Sequence, residues 1–258
     1  MRRSRTIGMV LALVFFATSL CAAEPAKVGP WVKFDEGDRM VGYVRDNSRV
    51  VLKEGLCVGI IDSSAQNIEN MMRTWDAYLK VLFLSKKAQP ASGSFCTPSP
   101  DVYCAYLLQG APWPVGDRDG YGTLRFFIEK KTGETLVKVE VDKNDMPETP
   151  GIVRLPFCEM EWMIKPIDEN RCLVFYQMMM LPGGAIGNNI PKPVINWGMR
   201  NYGSMTFKNI RKLAKEDKYK HSKGYITQTQ WPSELRYYME DALKLPEVQK
   251  LLASAKAK

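Results

Sequence analysis

The chain has 258 residues, 45% of them apolar, with 36 Lys and Arg against 28 Asp and Glu for a formal charge of +8. That apolar share is ordinary for a packed globular fold and excludes a largely disordered chain. The basic excess is mild and comes with no RNA- or DNA-reading motif, so nucleic acid is not an expected partner.

Residues 1–23 open on Arg2, Arg3 and Arg5, run through an apolar stretch from Ile7 to Leu20 and close on Cys21-Ala22-Ala23. Basic, apolar and small residues in that order are an export signal, expected to be cut after Ala23. A retained anchor is disfavoured because a membrane-spanning helix needs about 20 apolar residues. Bulky Leu20 likewise disfavours lipoprotein processing at Cys21. The expected location is therefore periplasmic or secreted. Without the three leader arginines, 33 basic residues face 28 acidic ones, a net charge of +5. The surplus gathers late, from Arg200 to Lys223, where it suits transient contact with an anionic membrane surface.

Along the mature chain, 39–46 (RMVGYVRD) and 50–61 (VVLKEGLCVGII) read as strands. Ser63 and Gln66 then form a capping box that opens a helix over 65–79. A Pro- and Ser-rich loop (89–100) leads to a strand at 102–109 and to a hairpin that turns at Lys131-Thr132-Gly133-Glu134. Strands at 152–167 and 171–181 follow, joined by a turn at Asp168-Glu169-Asn170. From Pro191 the period changes to 3.6, with Ile195, Met199, Tyr202, Met205 or Thr206, Ile210 and Leu213 on one face of a long amphipathic helix. A shorter helix within 232–245 ends near Pro246. Successive antiparallel strands with few helices predict an α+β fold rather than a parallel sheet.

Five cysteines remain after the leader. In an oxidising compartment Cys96 and Cys104, flanking a short loop, are the expected bridge, while Cys57, Cys158 and Cys172 sit in apolar strand patterns as buried small hydrophobes. No C-x-x-C spacing supports a zinc ribbon or redox motif, and no metal or other cofactor is expected.

The segments GYVRD, MMRTWDAYLKVL, PWPVGDRDGYGTLRFF, NDMPETPGIVRL and EWMIKPIDENRCLVFYQMMMLPGGAIGNNIPKPVINW, in this order and spacing, resemble the START family of steroidogenic acute regulatory protein-related lipid transfer domains. The resemblance runs from about Trp31 to Lys215. It implies a helix-grip fold, in which a curved antiparallel sheet wraps a long C-terminal helix around a hydrophobic cavity. Together with the leader (1–23) and the late helical stretch, it divides the chain into leader, a START-like lipid-binding domain (24–218) and a helical extension (219–258). It makes Arg118 and Asp119 a structural corner that ties the strand to neighbouring loops. It also makes the loop 142–151, with Met146, Pro147 and Glu148, a gate lying against the terminal helix.

Strand alternation, independently, puts Leu124, Phe126 and Ile128 on one face, and Met160 and Trp162 with Cys158 and Ile164 on another. The last strand offers either Val174, Tyr176, Met178 and Met180 or the opposite set. With Ile195, Met199 and Tyr202 of the helix, these are the candidate cavity residues. Twelve methionines in the mature chain suit a wall that moulds to variable apolar ligands. The sterol-carrying relatives place a buried Arg where this chain has Leu124, and the strand 102–109 supplies no facing carboxylate, so a more apolar pocket is expected. The expected partner is a lipid or other hydrophobic small molecule.

Two other functions are compatible with parts of the sequence. An enzyme of the cyclase kind could share such a fold. However, His221 is the single histidine and lies among lysines, no nucleophile or nucleotide motif is present, and the paired Glu159 and Glu161 are expected to face solvent, so no catalytic residue is expected. A periplasmic adaptor would need an exposed apolar stripe over 233–252.

Overall fold

The computed structural model describes residues 27–111, 116–142, 145–184, 192–220, 224–232 and 237–256. The leader, with its expected cleavage site, and His221 lie outside the described residues. Among the described residues ten strands, β1 (Val32–Gly37), β2 (Met40–Arg45), β3 (Glu54–Ile61), β4 (Ser85–Pro90), β5 (Val102–Gln109), β6 (Arg118–Glu129), β7 (Glu134–Asp142), β8 (Val153–Arg154), β9 (Phe157–Asp168) and β10 (Arg171–Leu181), make one sheet. Its order is β1-β2-β3-β10-β9-β7-β6-β5-β4, antiparallel throughout, with only β8 added parallel to β6. Helices α1 (Ala65–Met72), α2 (Trp75–Val81) and α3 (Lys192–Leu213) lie on one face, and α4 (Tyr237–Leu243) and α5 (Pro246–Lys256) on the other.

The single helix expected over 65–79 is two. Thr74 is extended and its hydroxyl bonds the Met71 carbonyl, while the Arg73 side chain turns inward to Glu69 and Asp101. The break resets the helical phase, so Ala77, Tyr78 and Val81 are buried in α2. The strand expected over 152–167 is also split: Pro156 separates β8 from β9. The polar edge strands β1 and β4 carry no clear alternation, and sequence reading missed them. Past the last expected helix, Pro246 does not end helical structure but begins α5, in keeping with proline's tolerance at a first helical position.

Helix α3 lies close on β3. A Cβ at Gly203 would fall on the Cys57 sulfur, and one at Gly59 would lie 2.8 Å from the Phe207 ring. Glycine on both sides is what lets the helix sit this near the sheet. The predicted disulfide is present, with Cys96 and Cys104 Cα atoms 5.6 Å apart, and Cys57, Cys158 and Cys172 are free.

Both sheet faces are covered, which the expected architecture did not include. Val41, Leu56, Val58, Ile60, Leu173 and Phe175 pack on the face away from α3 against Trp231, Ala242, Val248 and Ala255 of the C-terminal segment. The apolar side of that segment is thus turned inward, which removes the exposed stripe that an adaptor would need among the described residues.

Candidate functional site

The α3-facing side of the sheet is organised in rungs fixed by strand register. One rung runs Leu124–Val139–Met160–Met178 across β6, β7, β9 and β10, and the next runs Phe126–Val137–Trp162–Tyr176–Cys57 from β6 to β3. The sequence-predicted residues Leu124, Phe126, Met160, Trp162 and Tyr202 are therefore brought into one buried cluster, with Met178 and Met180 packed partly buried against it. The last strand turns Val174, Tyr176, Met178 and Met180 to this side, which decides the alternative that the sequence left open. Ile128 shares the face of Phe126 but stands at its end. It is buried outside this cluster, with its backbone bonded to Thr229 and Trp231. The side chains of Ile195 and Met199 lie outside the described residues.

Leu124 is buried and Arg125 is exposed near Glu140 across the sheet, so no arginine is buried at this position of β6. A buried ion network exists elsewhere. The Arg73 guanidinium lies 4.2 Å from the Phe126 ring centre, bonded to Asp101 at 2.6 Å and to Glu69 at 3.2 Å. Burial pushes the Asp101 carboxyl up, but hydrogen bonds from Thr229, Arg73 and the Gln228 and Thr229 amides outweigh it and hold the group ionised below its ordinary range.

Aromatic hydroxyls cluster at the centre of the rungs. Trp162 and Tyr176 stack at 3.8 Å, and Tyr176 and Tyr202 at 5.6 Å. Tyr176 and Tyr202 both direct their hydroxyls at the Met160 sulfur, at 3.6 and 3.7 Å. Burial raises Tyr78 and Tyr176 well above the ordinary phenol value and Tyr202 to about 12, so all three are neutral at physiological pH. Two recesses of about 20 Å³ border this cluster. One is lined by Leu107, Val141, Leu155, Cys158 and Met160, the other by Phe34, Tyr43, Cys57, Tyr176 and Tyr202. Sequence reading missed Tyr78, which is buried in α2, because it took 65–79 as one unbroken helix. It left Met205 and Thr206 undecided; Thr206 is the buried one.

At the corner, Asp119 accepts from Arg154 at 2.7 Å, Thr149 at 3.0 Å and Tyr106 at 3.2 Å, while Arg118 donates to the Pro182 and Gly116 carbonyls. Each charge fixes a loop to the sheet. Arg154 also donates to the carbonyls of Met146 and Pro147. The described part of the expected gate loop, Glu148 included, is thus held from the strand side, through Asp119 and Arg154.

No family model and no curated protein matches the chain. Solved structures do. The STAR-related lipid transfer protein from Xanthomonas axonopodis superposes with a TM-score of 0.61 at 24% identity, covering 72% of this chain and 99% of that one. The human StAR-related lipid transfer protein 5 gives 0.61 at 12% identity over 72% of this chain and 86% of its own. This chain has the START fold. The antiparallel sheet gripping α3 is the expected helix-grip architecture. Among the described residues no helix is long and apolar enough to cross a membrane.

Proposed function

We propose that the protein binds a lipid or other hydrophobic small molecule between the concave sheet face and α3, and passes it on. The observation carrying this reading is the pair of apolar rungs under an amphipathic helix, in a fold shared with two solved structures named as lipid transfer proteins. A methionine- and aromatic-rich wall adapts its shape at low cost, which suits an alkyl chain better than a fixed polar substrate. The leader-like residues 1–23 support action outside the cytoplasm, and exposed Lys208, Lys212 and Lys215 near the end of α3 support contact with an anionic bilayer. The loop 142–151 is the element proposed to move during exchange.

Mass spectrometry of an organic extract of the purified native protein tests the reading. A lipid in stoichiometric amount is expected, and Phe126→Asp or Met160→Asp protein that remains folded should lose it. Turnover of a hydrophobic substrate with no retained molecule would overturn binding in favour of catalysis.

A further inference from the structure

The connection between β4 and β5 touches the loop 142–151 from outside. Its ends are fixed by backbone bonds: the Ala91 amide donates to the Cys104 carbonyl, and Ser99 and Val102 exchange two bonds. Asp101, just beyond, is held by Arg73 and by the Gln228 and Thr229 amides. Residues 92–98 lie between these anchors, with the Cys96 amide folded back on the Gly93 carbonyl, and the disulfide to Cys104 joins this stretch to β5. The stretch meets the loop at Gly93. A Cβ there would fall 2.6 Å from the Met146 sulfur, so the methionine side chain lies directly on the glycine. Phe95 meets the Tyr121 ring at 5.7 Å, and Arg154, which holds the Met146 and Pro147 carbonyls, lies 5.0 Å from the centre of the same ring. Met146 is thus held twice, by Arg154 from the strand and by the cross-linked stretch from outside.

The cross-link can also be reached. An open cleft of about 420 Å³ runs between this stretch and the outer face of β6, lined by Ser94, Cys96, Thr97, Thr123, Arg125 and Thr229. Cys96 is half-buried at its wall, whereas Cys104 is 5% exposed. A thiolate entering the cleft meets Cys96 first, and the exposed Arg125 guanidinium favours its negative charge. Resting on the binding function and loop motion above, we propose that the Cys96–Cys104 disulfide is an exchange site for an external dithiol, and that opening it releases Met146 and speeds ligand exchange. One thiolate of the dithiol attacks the Cys96 sulfur; the bond to Cys104 breaks, and Cys104 leaves with the electron pair and takes a proton from water. The second thiolate of the dithiol then attacks the mixed disulfide, frees Cys96 to be protonated in turn, and closes the reagent's own disulfide. The protein gains two electrons and two protons, and the dithiol is oxidised by the same amount. The other cysteines stand apart: Cys158 and Cys172 are buried, and the Cys57 sulfur lies under α3 against Gly203. The sheet stays closed, because the bonds of Ser99 and Asp101 do not depend on the disulfide.

The test treats the full mature chain with dithiothreitol at neutral pH without denaturant, alkylates it and maps the labelled cysteines by mass spectrometry. Hydrogen exchange of the amides within 145–152 is read on the same samples. Cys96 and Cys104 should be labelled and Cys57, Cys158 and Cys172 should not. Exchange within 145–152 should quicken by roughly five- to thirtyfold, the change in a local opening equilibrium when one such restraint is lost, while β9 and β10 exchange as before. Cys96→Ser combined with Cys104→Ser should show the fast exchange without reductant; if that variant does not fold, the reduced parent carries the same comparison. In Met146→Ala the loop should exchange fast with the disulfide intact, and reduction should add nothing. Release of a preloaded pyrene-labelled alkyl chain should speed up on reduction in the parent but not in Met146→Ala. A disulfide that is reduced only when the fold is lost, or unchanged amides within 145–152 after clean reduction, would overturn the proposal. A loosened loop with unchanged release would overturn the link from disulfide to ligand exchange. A loosened loop in a protein that retains no label in either state would instead sink the binding function and leave the thiol-exchange site standing.

Discussion

Glu161 sits in the middle of β9 on the sheet face away from α3, 3% exposed, with Glu159 beside it at 9%. Alternation correctly places the two carboxylates together, but the expectation that they face solvent is wrong, because that expectation took the outer face to be uncovered. Burial first, then repulsion from Glu159, pushes the Glu161 carboxyl up to about 7 from an ordinary 4.5, and Lys138 only partly offsets this. A raised carboxyl means that the folded state binds the proton more tightly than the unfolded one. Stability attributable to this group is therefore fully present below pH 4.5 and is lost as pH rises towards 7. Glu161→Gln removes the ionisation while keeping the shape. The variant should unfold at a higher temperature than the parent at pH 8, by an amount on the order of a few kcal/mol in stability, with the gain shrinking towards pH 5. Thermal melts across that range check it, and a pH-independent difference would show that Glu161 does not titrate in this window.

At the level of elements, strand and helix types were legible where the period was strong. The hairpin from β6 to β7, the β9–β10 pair and α3 fall where alternation and the 3.6 repeat place them. Interruptions were not legible, because the break at Arg73-Thr74 is made by a distant partner, Asp101, and no local rule reports it. The tight seat of α3 on β3 is another tertiary fact, carried by Gly203. Alanine is the better helix former by about 1 kcal/mol, so local propensity predicts that Gly203→Ala stabilises the protein. The contact with Cys57 predicts the reverse, since overpacking costs typically 1–3 kcal/mol. The expected outcome is a lower unfolding temperature for Gly203→Ala, recovered at least in part by adding Cys57→Ala, which removes the sulfur from the path of the new methyl group. If Gly203→Ala alone melts higher than the parent, the helix has room to lift and the seat is not tight.

For the molecule as a whole, the C-terminal segment couples the two faces of the sheet. The resemblance to lipid transfer domains made the inner face and α3 legible from sequence. Nothing in it described what covers the other side, since short amphipathic helices after a linker read equally well as a free appendix. In the structure the segment is tied first to the α1 end of the inner core. Thr227 donates through its amide to Glu69, and the Gln228 and Thr229 amides donate to Asp101, the two acids that hold Arg73 over Phe126. It then adds to β6, where the Ile128 amide donates to the Thr229 carbonyl and the Trp231 amide donates to the Ile128 carbonyl. Beyond that, Glu247 accepts from Tyr43, and Val248 and Ala255 are buried over β2, β3 and β10. A chain ending at Lys223 would leave Leu173, Phe175 and their neighbours bare, and would leave Glu69 and Asp101 buried with donors removed. Exposing a row of large side chains costs about 1.5–3 kcal/mol for each that becomes fully wet, comparable in sum to the whole stability of a domain. The truncated protein should therefore bind a hydrophobic dye, melt many degrees lower or fail to accumulate, and lose ligand retention along with its fold. Val248→Asp in the full chain is the milder version, burying an unpaired charge at one point of the same contact. It should weaken stability without changing which lipid is bound in whatever fraction remains folded. A truncated chain that melts with the parent and binds no dye would show that the outer face does not depend on this cover.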